Sequence, residues 1–316
     1  MITKEQFTEK VMKDLKRLMP QEILDKCEVK KVVVTKDNDT QLTGICFNRG
    51  EGLPCPTFYV EAAYEAYIRG ESYYSLINGL VESAVEHWNV EVPIDVNDLG
   101  YEKMKDKLVF QIVDSDRNKN RLRELVSSDV ASGLALIYRF EIKAPGGVMS
   151  IPITKDMAAS FGYDLAVMDK DARANMQRIY PATLTTPTEE IKEMATGEQA
   201  INLLEIEAEM DDKGYLLKND SARLGSSALF YPDMMEKIGN KLKENYYVLP
   251  TSTNEIMIVP TTNTLPAREL MSMLKQGNEL FTTNETILSD KLFMYDRGNR
   301  LLAQVTVPNR EVEMER

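Results

Sequence analysis

The chain carries one histidine, His87, and one tryptophan, Trp88, in 316 residues. A histidine-assisted nucleophile system therefore has a single base to draw on. The three cysteines, Cys27, Cys46 and Cys55, are odd in number, and none is spaced C-x-x-C from another. That argues against a secreted disulfide framework and leaves a zinc site short of ligands. Neither G-x-G-x-x-G nor G-x-x-x-x-G-K-[ST] occurs, and no G-x-S-x-G elbow is present, so the common nucleotide-binding and hydrolase signatures are missing. Long apolar runs are missing too. "GLALIYRF" is among the longest, far short of a membrane span. The amino terminus alternates charged and apolar residues and has no signal-peptide core.

Positive charge is also scarce. Lys and Arg number 38 against 50 Asp and Glu, for a net charge of −12. Phosphate backbones and anionic membranes both call for clustered Lys and Arg, so general nucleic-acid binding and membrane docking are disfavoured. A basic protein partner is permitted. Together these absences predict a cytoplasmic protein with free thiols, no metal and no cofactor.

What is present is ordinary globular composition, 43% hydrophobic and 28% charged, which suits one large domain or two smaller ones. Thr3 and Gln6 fit a capping box, and Phe7, Val11, Met12, Leu15, Leu18 and Met19 follow at helical spacing. "CEVKKVVVTKD" and "LTGICFNR" read as a strand hairpin. "PTFYVEAAYEAYIRG" reads as a short helix, a break at Gly70 follows, and a longer helix places Tyr73, Leu76, Ile77, Leu80, Ala84 and Trp88 on one face. "DVNDLG" reads as a connection. Further on, "KLVFQIV", "GLALIYRFEIK" and "GVMSIPIT" read as strands, the last two joined by the turn "APGG". Thr186–Pro187–Thr188–Glu189 is a helix start. Beyond it, "GYLLK", "GSSALFY", "YYVLP" and "EIMIVP" read as strands, "PARELMSMLKQGN" as a helix, "KLFMYD–RGN–RLLAQVTV" as a hairpin, and "NREVEMER" as a loose tail.

Residues 107–162 and 225–277 both read strand, helix, strand, turn, strand, helix, which suggests two similar units. Hairpins dominate, so the expected class is α+β, with mostly antiparallel sheets and packed helices. The expected partition is an α+β region over 1–185, an acidic connecting segment over 186–213 and a second α+β region over 214–316.

The run "ARLGSSALFYPDMMEKIGNKLKENYYVLPTSTNEIMIVP" followed by "ILSDKLFMYDRGNRLL" resembles the uncharacterised bacterial proteins of domain-of-unknown-function family 5688. "PTFYVEAAYEAYIRGE", "LVFQIVDSDRNKNRLREL", "LALIYRFEI" and "SIPITKDMAASFG" are similar as well, and the likeness is weakest from Thr186 to Asp212. The resemblance implies a cytoplasmic bacterial protein that forms one family unit along most of its length. It carries no catalytic residues to transfer.

Three groups of residues are candidates for function. Tyr64, Tyr67, Tyr73 and Tyr74 lie close together on the expected helices and would supply contact area at little entropy cost, or else pack in a core. Between Glu189 and Asp212 nine acidic residues face one lysine. Glu205, Glu207, Glu209 and Asp211 are the candidates there, set against the plain reading of a solvated segment. Ser252, Asn254 and Glu255 form a polar turn between two apolar strands. They are candidates for a polar site, or simply caps for the turn's own backbone. "DSDRNKNRLRE" echoes a calcium loop at Asp114, Asp116 and Asn118 but lacks the central glycine, and reads instead as a strand end and helix cap.

With every common catalytic signature missing, the expected function is a non-catalytic binding or accessory protein, its partner an unknown protein. A hydrolase-like enzyme with a non-contiguous site is the alternative. An acidic mimic of nucleic acid is a third reading, which would need a continuous stripe of carboxylates.

Overall fold

The computed structural model describes residues 2–50, 55, 57–88, 100–144, 147–162, 164–210, 212–221, 223–262 and 264–307. Pro145 and Gly146 of the expected turn, most of the "DVNDLG" connection, Asp211 and the "NREVEMER" tail lie outside the described residues. The chain forms two compact units: Met1–Lys103 with Ile142–Met149, and Met104–Glu141 with Ser150–Arg316.

The first unit opens with α1 (Lys4–Leu18) and the short α2 (Gln21–Leu24). The capping box forms: the Gln6 amide donates to Thr3 Oγ1 at 3.2 Å, and the Thr3 amide donates to Gln6 Oε1 at 3.0 Å. Phe7, Val11 and Leu15, four residues apart, are buried. β1 (Glu28–Thr35) and β2 (Gln41–Asn48) form the expected antiparallel hairpin. Its reversal uses left-handed backbone at Asn38 and Asp39, a conformation those side chains tolerate. β3 (Thr57–Tyr59) joins β2, so the helix expected from Pro56 starts later, as α3 (Val60–Ile68). α4 (Tyr73–Trp88) follows the break at Gly70, whose φ is +99°. Ile77, Ala84 and Trp88 of α4 meet Phe7, Val11 and Leu15 in one core with Ile45 and Phe47 of the sheet.

Next come α5 (Tyr101–Met104), β4 (Leu108–Asp114), α6 (Lys119–Glu124), β5 (Ser127–Ala131), β6 (Leu134–Ala144), β7 (Gly147–Pro152), α7 (Lys155–Phe161) and α8 (Leu165–Ile179). β6 pairs antiparallel with β4 on one side and β5 on the other, and β7 also pairs with β6. Every residue of β4 is buried, which is why its apolar residues do not alternate with polar ones and only Gln111 interrupts them before Asp114.

The rest of the second unit carries β8 (Ala182–Thr185), α9 (Pro187–Thr196), β9 (Tyr215–Asn219), α10 (Met234–Leu242), β10 (Tyr246–Leu249), β11 (Glu255–Pro260), α11 (Ala267–Phe281), β12 (Phe293–Asp296) and β13 (Leu301–Gln304). Its strands form a six-stranded antiparallel sheet in the order β13-β12-β10-β11-β9-β8. The strands on either side of 186–213 are thus neighbours. Side chains alternate across the sheet. One face presents Tyr215, Leu217, Tyr246, Val248, Ile256, Ile258 and Phe293, all buried. The other presents Tyr247, Leu249, Met257 and Val259, which pack under Leu270 and Leu274 of α11.

The architecture is α+β with mostly antiparallel sheets, as expected from the sequence. One expected strand is corrected: Gly225–Phe230, within "GSSALFY", is a 3₁₀ helix with all six residues buried. Burial on every side erases the periodicity that separates helix from strand. The stretches 107–162 and 225–277 therefore do not share one element order. Among the described residues, no helix is long and apolar enough to cross a membrane.

Candidate functional site

Residues 251–255 link β10 to β11. Ser252 Oγ accepts from the amides of Asn254 at 3.1 Å and Glu255 at 3.3 Å, and Thr251 Oγ1 donates to the Glu255 carbonyl at 3.1 Å. These polar side chains satisfy the turn's own backbone, a common use of Ser and Thr. Neighbouring segments hold the turn from outside as well. The Ser226 amide and hydroxyl both donate to the Thr253 carbonyl, at 3.2 and 2.9 Å. The Thr253 amide donates to the Thr286 carbonyl at 2.8 Å. Gly225 approaches so closely that a Cβ there would lie 1.6 Å from the Asn254 carbonyl oxygen.

This rigid turn forms one wall of a groove of about 720 Å³, and α11 forms the other. Ser252, Asn254 and Glu255 all line it, together with Met257 of β11 and Met273, Gly277, Asn278 and Phe281 of α11. The solvent side of α11 is apolar beside the groove. Met273 is 53%, Leu280 74% and Phe281 85% exposed. A helix face that leaves three large apolar side chains in water gains nothing for folding from them. The groove wall has a second odd feature. Asn278 is buried, and its amide nitrogen donates to the Ser289 carbonyl at 3.0 Å and to Asp290 Oδ1 at 2.9 Å. Its Oδ1 has no hydrogen-bond partner among the described residues.

Glu255 sits at the polar end of the groove, half-buried. Its carboxyl titrates above the ordinary glutamate range, first because burial disfavours the charge and then because the Glu190 carboxylate is near; Lys218 opposes the shift. Lys218 is already engaged. It forms an ion pair with Glu190 and lies 3.9 Å from Glu193. Three carboxylates therefore share one ammonium. Among the described residues, none hydrogen-bonds to the Glu255 carboxyl.

The other candidates lie elsewhere. Glu205, Glu207 and Glu209 are exposed. Glu207 and Glu209 line a separate open cleft of about 1170 Å³ with Lys237, Lys241 and Lys243, and Lys241 donates to the Ile206 carbonyl at 2.7 Å. The acidic segment thus faces lysines of its own chain. In the first unit, Tyr64, Tyr67 and Tyr73 pack round Phe7 with ring centroids 5.2–5.8 Å away. Tyr64 donates to the Ile2 carbonyl at 3.0 Å and Tyr73 to Asp14 at 2.8 Å. Tyr74, 75% exposed, is the outward-facing member of the group.

His87 holds the Ser83 carbonyl of its own helix at 2.7 Å and stands edge-on to Phe58. The three cysteines, far apart in sequence, come near enough to influence one another: burial raises the Cys27 and Cys46 thiols, and neighbouring cysteines add to the rise. Asp114 ends β4, and its Oδ1 accepts from the amides of Asp116 and Arg117 at 2.8 and 3.1 Å. The cation held by Asp114 and Asp116 is the Lys291 ammonium, at 3.1 and 2.8 Å. Among the described residues, no three His, Cys, Asp or Glu side chains are grouped to hold a metal ion.

The sequence reading picked out the turn but missed the wall opposite. Met273 and Asn278 leave a faint signal: on a helical wheel Met273 falls beside the Leu270–Leu274 stripe, and Asn278 puts an amide on its buried edge. Glu190 and Lys218, which set the electrostatics of Glu255, leave none, because strand register and helix placement bring them there. A family model described as a family of unknown function (DUF5688) matches residues 4–297. No curated protein matches the chain, and no solved structure does.

Proposed function

The chain belongs to the DUF5688 family, and we propose that it is a non-catalytic binding protein of the bacterial cytoplasm. Its contact surface is the groove between α11 and the turn at 251–255. The observation that carries this reading is the exposure of Met273 and Phe281 along a groove whose far wall is braced by backbone hydrogen bonds, with Leu280 exposed next to Phe281 on the same helix. A rigid wall facing a stripe of apolar anchors suits a segment of another protein, which would bury those side chains at about 25 cal/mol per Å². Three free cysteines and a net charge of −12 support the compartment.

The alternatives find less support. Ser252 Oγ is occupied by two backbone amides, which does not suit a nucleophile awaiting a base. Glu207 and Glu209 share their cleft with three lysines, which breaks up the carboxylate stripe that a nucleic-acid mimic requires.

The test is affinity capture from the native host with wild-type protein and with Leu280→Glu plus Phe281→Glu. A protein retained by the wild type and by Tyr74→Ala, but lost by the double variant, supports the groove. Retention by the double variant overturns it.

A further inference from the structure

Building on the groove as a binding surface, we propose that Glu255 receives a cationic side chain, lysine or arginine, from a partner protein. The neighbouring apolar side chain of that partner would rest against Met257, Met273 and Phe281.

Glu190, Glu193 and Glu255 cluster round the single ammonium of Lys218, which lies on Glu190. With all three carboxylates ionised, the cluster is two positive charges short of balance. Within it, Glu190 and Glu193 are occupied by Lys218, whereas Glu255 lines the groove. A carboxyl already stripped of part of its water has little further desolvation to undergo when a cation arrives, so the pairing is stronger there than on an open surface.

Glu255 and Met257 lie two residues apart on one face of β11 and line the groove with Met273 and Phe281. A cation at Glu255 thus has apolar surface beside it, which fits the long apolar stems of lysine and arginine. Asn278, on the same wall, has an acceptor without a donor. That atom is buried, so it supports the polarity of the wall while Glu255 makes the contact. The overall charge of −12 draws a basic segment towards the surface at long range.

The experiment uses the full chain with ¹³C-methyl methionine, so that Met257 and Met273 report on the groove. The probes are a blocked pentapeptide with arginine at its centre and leucine at both ends, its neutral citrulline counterpart, and butylamine. The arginine peptide should shift both methyl resonances and bind about tenfold more tightly than the citrulline peptide, the size expected for one charged contact. Glu255→Gln should abolish that preference. Equal binding of the two peptides to the wild type overturns the cation site while the groove stands. If neither peptide moves the two methyls, the groove falls as well. Butylamine binding as tightly as the arginine peptide overturns a protein partner in favour of a free amine.

Discussion

Glu255 and Lys218 stand opposite each other in the register of β11 and β9, yet the Lys218 ammonium is held by Glu190. Glu190 lies in the first turn of α9, where the helix dipole favours a carboxylate. Lys218 therefore finds its better partner on the helix, and Glu255 is left half-buried without an ion pair.

This arrangement sets a pH dependence. Below the ordinary glutamate value of about 4.3, Glu255 is protonated in both folded and unfolded chains and costs nothing. As pH rises, the unfolded chain releases its proton first, because burial, Glu190 and the opposing Lys218 leave the folded carboxyl with a net upward shift. Folding stability therefore falls across the window from the ordinary value to the raised one. Glu255→Gln removes that loss. In urea denaturation, its stability relative to wild type should rise as the pH is raised above about 4, until the folded carboxyl has ionised as well. A gain that shrinks over this range would contradict the electrostatic assignment.

Asp114 and Lys291 form an ion pair at 3.1 Å in which the aspartate is buried. Ser289 Oγ also donates to that carboxylate, at 2.5 Å. Lys291→Met strands a buried carboxylate, and the expected cost is roughly 3–5 kcal/mol. Adding Asp114→Asn should recover part of it. Unchanged urea midpoints for Lys291→Met would show the pair to be dispensable.

Gly225 and Gly79 should respond in opposite directions to alanine. At Gly225 the new methyl meets the Asn254 carbonyl at 1.6 Å, and backbone on both sides has to move. The expected loss is about 3 kcal/mol, at the upper end for overpacking. Gly79 lies within α4 and a Cβ there meets nothing within 4 Å. Alanine at that site should stabilise by about 0.5–1 kcal/mol. Thermal unfolding of the two variants checks both signs, and a neutral Gly225→Ala would mean that the turn at 251–255 is not braced by close approach.

Much of the fold was legible before any coordinates. The Thr3–Gln6 capping box, the β1–β2 hairpin, the Tyr73–Trp88 face and the strands flanking 251–255 all follow from local pattern, because caps, turns and periodicity act over a few residues. The strand expected over "GSSALFY" failed because complete burial left no polar side to mark the period. β8 and β5 are short and show no in-and-out alternation, and β5 carries a register shift between Asp129 and Ala131, so no local signal announced them.

The sequence alone determined the elements that depend on neighbours along the chain: helix caps, turn chemistry and the alternation of an antiparallel α+β fold. It also determined the chemistry in short supply, since one histidine and a negative charge balance need no fold to be counted. Only the tertiary structure decided that Glu255 shares a groove with Met273 and Phe281, that Lys218 turns to Glu190, and that Lys291 lies on Asp114. Each of these depends on pairing residues far apart in sequence. Register, helix placement and burial arise from the whole core packing at once, and no short window of residues contains them.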